Sequence, residues 1–135
     1  MNVNKYLTEG INKVGIIFNL DKHNSSGSHW VSLYIDLKSK DVYYFDSNGI
    51  KPPKEVEGLM NDLHKEKQFK LHINEYEHQM QNTECGMYSM FFIITMLTEK
   101  LGKKTKTRKD IFNHLQRVRV SDNKMKKLRA KYFNK

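Results

Sequence analysis

Met87 to Leu97 reads MYSMFFIITML, a run without charge that is apolar on nearly every side of a helix. A small chain must wrap such a helix with the rest of its residues, so the fold is built around it. Just before it stands Cys85, the only cysteine, delivered by the polar stretch Gln79-Met80-Gln81-Asn82-Thr83-Glu84. The first turn of a helix carries N–H groups without intrahelical partners, and their partial positive charge favours a thiolate. The segment that constrains the fold also carries the candidate nucleophile.

The spacing around it predicts the remaining elements. Val14 to Leu20 is a short apolar run and reads as a buried strand. Val31, Leu33, Ile35 and Leu37 alternate with polar positions, the period of a strand with one buried face. Lys38 to Asp41 turns the chain into the aromatic strand Val42-Tyr43-Tyr44-Phe45, giving a hairpin. After Pro52-Pro53, the apolar positions Val56, Leu59, Met60 and Leu63 predict a helix over about 53–66. Phe69, Leu71 and Ile73 alternate as a further strand of the hairpin region, and the central helix runs from Cys85 past Leu97 and Leu101 to a stop at Gly102. Ile111, Phe112, Leu115 and Val118 mark one amphipathic helix, and Met125, Leu128 and Tyr132 another, capped by Ser121 or Asp122. Strands followed by helices, with one helix inserted, make the class α+β in a single domain over 1–135.

Charge divides the chain. Residues 1–97 hold 10 basic and 12 acidic residues, a net −2, whereas 98–135 hold 14 and 3, a net +11. Residues 103–135 therefore read as a basic helical tail, either the solvated face of terminal helices or a site for nucleic acid or another polyanion. A lone cysteine makes no internal disulfide, and neither a signal-peptide pattern nor a membrane-length apolar run is visible. The expectation is an intracellular protein in a reducing compartment with no membrane partner.

Acyl chemistry at a thiol needs a base, a group that fixes the base's tautomer, and donors for the developing oxyanion. Antiparallel pairing of the hairpin brings His29, at the head of its first strand, to the same open end as Asp46, at the tail of its second. With Cys85 they supply base, orienting acid and nucleophile. Gln79, six residues before Cys85, is placed to offer a side-chain N–H beside the backbone N–H of Cys85; Gln81 is the competing candidate. His78 abuts Gln79 and is expected to line the site. His23 has no carboxylate placed opposite it, while His64, His72 and His114 read as surface or satisfied residues. His72, His78 and Cys85 lack the paired close spacings of structural zinc, so no metal site is assigned.

Together, His29-Trp30, Tyr44-Phe45-Asp46-Ser47 and Gln79-x5-Cys85-Gly86-Met87-Tyr88 resemble the catalytic motifs of the ubiquitin-like-protein protease superfamily. That group includes the SUMO-specific proteases, the adenovirus-type maturation protease and related enzymes of large DNA viruses, and the sequence is closest in tone to the last. The resemblance implies a papain-like or adenain-like core: a small mixed sheet with a central helix beginning at the catalytic cysteine. It also implies that Trp30 shapes a narrow channel for small residues and that Gly86 is among the substrate-binding residues. The implied activity is cysteine-peptidase cleavage, after Gly-Gly, of viral polyprotein precursors or ubiquitin-like modifiers, without cofactor or metal. Two alternatives stand beside it. One is an acyltransferase using the same triad; the other is a non-catalytic or truncated relative that binds a ubiquitin-like protein or nucleic acid. Only 28 residues precede His29, fewer than the family usually carries, so part of the N-terminal lobe that walls the cleft is expected to be missing.

Overall fold

The computed structural model describes residues 1–20, 29–79 and 84–133. In chain order the elements are α1 (Val3–Thr8), β1 (Lys13–Asn19), β2 (Trp30–Asp36), β3 (Asp41–Phe45), α2 (Lys54–Lys67), β4 (Lys70–Ile73), α3 (Cys85–Thr98), β5 (Lys100–Leu101), β6 (Lys104–Thr105), α4 (Arg108–Leu115) and α5 (Asp122–Phe133). The main sheet has the order β1-β2-β3-β4. Its first three strands are antiparallel, with Lys13 opposite Asp36 and Ser32 opposite Phe45, and β4 runs parallel to β3.

Two expectations are corrected here. The Phe69–Ile73 strand is not part of a hairpin: α2 carries the chain back across the sheet, so β4 returns parallel to β3, as parallel pairing requires. And β2 is buried on both faces rather than one, because α3 lies over one side and α2 over the other. Tyr34, Tyr43 and Phe45 pack with Tyr88, Phe91, Phe92 and Met96 of α3 and with Ile111 and Met125. Val31, Leu33, Ile35, Val42 and Tyr44 pack with Val56, Met60 and Leu63 of α2 and with Val3 of α1. The period of two in β2 separates two apolar clusters instead of core from solvent. Gly15 lets β1 approach α3, since a Cβ there would stand 2.9 Å from Ile93.

The central helix ends earlier than its apolar pattern. Glu99 takes a left-handed conformation (φ 55°), and Gly102, instead of stopping the helix, turns the small β5–β6 hairpin with φ 66°. Beyond it the basic segment is integral to the fold. Ile111, Phe112, Leu115 and Met125 are core residues. Arg108 pairs with Asp36 at 3.5 Å and Glu99 at 3.3 Å and stacks over the Tyr34 ring, while Lys103, Lys104, Lys126 and Lys127 are exposed. Ser121 is the cap for α5, its Oγ accepting from Lys124 N at 3.1 Å.

Candidate active site

The β2–β3 hairpin sets the first two groups. His29 precedes β2 and Asp46 follows β3, and their side chains meet with Nε2 2.9 Å from Asp46 Oδ1. The same Oδ1 accepts the backbone N–H of Asn48 at 2.8 Å, so the carboxylate closes the strand-end turn while it holds the imidazole. Asp46 is 2% exposed. Its backbone carbonyl accepts Asn74 Nδ2 at 2.7 Å, which anchors this turn to the chain leaving β4. Asn74 is fully buried, and nothing in its sequence context marks it.

Cys85 opens α3 and is buried. Burial pushes the thiol up, but hydrogen bonds from His29 and from the backbone N–H groups of Trp30 and Gly86, with the charge on His29, bring it below the ordinary thiol value. The last β2–β3 pair is Ser32–Phe45, which leaves the Trp30 N–H beyond the ladder and available to the sulfur. His29 in turn is pushed up to about 9 by its hydrogen bond to Asp46 first and by Cys85 second, against the burial that would lower it. With Nε2 on the carboxylate, Nδ1 is the ring nitrogen left to face the sulfur. A lowered thiol beside a raised imidazole favours a thiolate–imidazolium pair over the two neutral groups.

Gln79 lies on the other side of the Asp46 turn and is 2% exposed. Its Oε1 accepts the Ser47 hydroxyl at 2.6 Å, and its backbone N–H donates to the Ser47 carbonyl at 2.9 Å. Gln81 falls outside the described residues, as does His23. Gly86 lies beside Trp30, a Cβ on Gly86 standing 3.8 Å from the indole.

His78 does not line the site. It is fully buried; its Nε2–H donates to Leu115 O at 2.8 Å and its Nδ1 accepts from Val120 N at 2.8 Å. Both ring nitrogens are committed to backbone groups, one at the end of α4 and one in the segment joining α4 to α5, and burial lowers the ring from its ordinary value. His72 bonds Asp41 Oδ1 at 2.9 Å and stacks on Tyr43. Among the described residues no group of three or more His, Cys, Asp or Glu side chains is placed to hold a metal ion. Sequence reasoning also passed over Glu84, which is 1% exposed directly before the nucleophile and is paired at 2.5 Å with Arg129 of α5.

The model of the Ulp1 protease family, C-terminal catalytic domain, matches residues 2–135. The chain belongs to this family of cysteine proteases. It is 38% identical over 107 residues to a thiol protease of Acanthamoeba polyphaga mimivirus, covering 73% of this chain and 34% of the relative. To a SUMO-1 cysteine protease of African swine fever virus it is 29% identical over 131 residues, covering 90% and 44%. The crystal structure of the African swine fever virus protease superposes with a TM-score of 0.70 at 28% identity, over 88% of this chain and 43% of that one. Chlamydia trachomatis effector protein Cdu1, solved bound to ubiquitin, shares the fold with a TM-score of 0.59 at 16% identity, over 98% and 64%. The chain thus spans between a third and a half of the length of the viral relatives it matches.

Proposed function

We propose that this chain is a thiol-dependent peptidase in which Cys85 is the nucleophile, His29 the general base and acid, Asp46 the group that orients it, and Gln79 an oxyanion donor. The observation that carries this reading is the single line from the α3 start to the β3 end: a lowered thiol, a raised imidazole and a buried carboxylate in hydrogen-bonded order. The Cys85 thiolate attacks the substrate carbonyl carbon, forming the C–S bond and an oxyanion met by the Gln79 amide and the Cys85 N–H. Protonated His29 gives its proton to the departing amine as the C–N bond breaks. Neutral His29 then takes a proton from water as the oxygen attacks the thioester, and collapse releases the acid and restores the ion pair.

Trp30 beside Gly86 supports a narrow approach to the sulfur and hence small residues, Gly-Gly foremost, before the cleaved bond. Among the relatives, the SUMO-1 cysteine protease by its name favours a ubiquitin-like protein as substrate, with a viral precursor as the alternative. A nucleophilic thiol of this kind suits a reducing compartment. The test is an electrophilic probe ending in Leu-Arg-Gly-Gly, read by intact mass. Labelling at Cys85 that disappears in His29→Ala is expected; a well-folded protein that is not labelled would overturn the peptidase reading in favour of a binding-only relative. An acetyl-coenzyme A requirement for turnover would favour acyl transfer instead.

A polyanion partner for the C-terminal region is supported by a separate feature, an open cavity of about 440 Å³ whose lining combines Lys104, Lys106, His114, Arg119 and Lys124 with the apolar Phe91, Leu101, Val118 and Val120. Binding of a DNA oligonucleotide that weakens steeply with salt is expected; binding unaffected by salt, or none, would remove this partner.

A further inference from the structure

Ser47 is 1% exposed and holds Gln79 by two hydrogen bonds and the preceding His78 by a third. Its hydroxyl donates to Gln79 Oε1 at 2.6 Å, and its carbonyl accepts both His78 N at 2.7 Å and Gln79 N at 2.9 Å. The carboxamide is planar, so fixing Oε1 fixes where Nε2–H points. A buried glutamine on a loop has three rotatable side-chain bonds, and each wrong rotamer removes the donor from the place where charge develops.

We propose that Ser47 is a positioning residue for the oxyanion donor: its hydroxyl selects the orientation of the Gln79 amide that presents Nε2–H to the tetrahedral intermediate. Asp46 and its neighbour thus divide the labour, one side chain aiming the base and the next aiming the amide, from one turn at the end of β3. The turn is itself held by Asn74 through the Asp46 carbonyl and by the Gly49 N–H to the same oxygen at 2.8 Å. Gly49 is required there because its φ is 69° and a Cβ would stand 2.8 Å from the Glu75 carbonyl. Both catalytic orientations therefore depend on one rigid element. The inference rests on the reading of Gln79 given above.

Two reagents separate the effects. Iodoacetamide alkylation of Cys85 develops no oxyanion and reports the thiolate alone; acylation by 4-nitrophenyl acetate passes through an oxyanion and needs both. For Ser47→Ala, and for Ser47→Gly as a second variant, we expect acylation slowed by roughly 10- to 100-fold, less than the hundredfold to thousandfold loss of a deleted donor. Alkylation should stay at the wild-type rate and pH profile. In the Gln79→Ala background the same change should cost nothing further, since the group it aims is gone. Wild-type acylation in both Ser47 variants would overturn the proposal. So would additive losses, or alkylation falling along with acylation or with loss of the fold, which would make Ser47 merely structural. If Gln79→Ala itself acylates normally, it is the oxyanion reading of Gln79 that fails.

Discussion

The two faces of the sheet are built from different materials. Under α2 the cluster is aliphatic apart from Tyr44 and Phe69, and its inward residues are Val, Leu, Ile and Met. Under α3 the cluster is aromatic and sulfur-rich, with Phe45 stacked on Phe92 at 4.7 Å, and it is bordered by buried polar side chains: His78, Gln79, Glu84 and Asp122. Tyr88, inside that cluster, reaches Val120 O at 2.7 Å and Asp122 Oδ1 at 3.0 Å. The first face stabilises by burying area, which is non-directional. The second must hold groups at fixed distances, and each buried polar atom there needs its partner. Stability is general to the molecule, whereas placement belongs to the α3 side.

The largest effects should come from the site itself. Cys85→Ala and His29→Ala are expected to lower peptidase turnover by about 10⁴-fold or more while melting within a few degrees of wild type. A peptidase assay beside a thermal melt checks both.

Core truncations sharpen the contrast. Leu33→Ala, on the α2 side, and Phe92→Ala, on the α3 side, should each cost roughly 3–5 kcal/mol in urea unfolding. Their consequences for the site should differ. Alkylation of Cys85 per folded molecule should survive Leu33→Ala and fall in Phe92→Ala, because Phe92 stacks on Phe45, the residue before Asp46. Equal alkylation in the two variants would erase the distinction between the faces.

Polar deletions on the α3 side come next. Arg129→Ala leaves the Glu84 carboxylate buried without its arginine and should destabilise by about 3 kcal/mol, near the low end for such pairs because Arg129 is half exposed. Adding Glu84→Gln should recover part of that loss. His78→Ala orphans Leu115 O and Val120 N and should cost roughly 2–4 kcal/mol, with alkylation of the folded fraction retained. A strong loss of alkylation in a folded His78→Ala protein would return this residue to the site.

The smallest effect is on pH-dependent stability. The folded state pushes His29 up to about 9, from an unfolded value near 6.5. Protonated His29 therefore contributes stability that is fully present below about 6.5 and is lost as pH rises through about 9. The difference in melting temperature between wild type and His29→Gln should shrink over that window. A difference that grows with pH would reverse the sign of the His29–Asp46 coupling.

The parts of this molecule legible in the sequence are those where one signal dominates. Apolar periodicity locates β1, β2, β3, α2 and the two C-terminal helices to within a few residues, and antiparallel pairing of the hairpin is enough to set His29 against Asp46. What escaped was decided by tertiary partners. Whether β4 pairs parallel depends on where α2 packs, and an alternating strand reads the same whether its second face meets water or α3. His78 looked like a site residue because it adjoins Gln79; two backbone partners from 37 and 42 residues away turned it inward. In the basic segment the apolar positions Ile111, Phe112, Leu115 and Met125 mark the two helices that pack on the core, but net charge does not say which cations are paired there. Arg108, Arg119 and Arg129 each bond buried or half-buried groups, and the lysines carry the exposed charge.

The central claim is that Cys85 and His29 form one ionised pair. It is tested most directly by the rate of Cys85 alkylation against pH in wild type and in His29→Ala. The account predicts a wild-type rate that rises at lower pH than an ordinary thiol, while His29→Ala rises only around the ordinary thiol value of about 8.5. Superimposable profiles, both rising like an ordinary thiol, would contradict it.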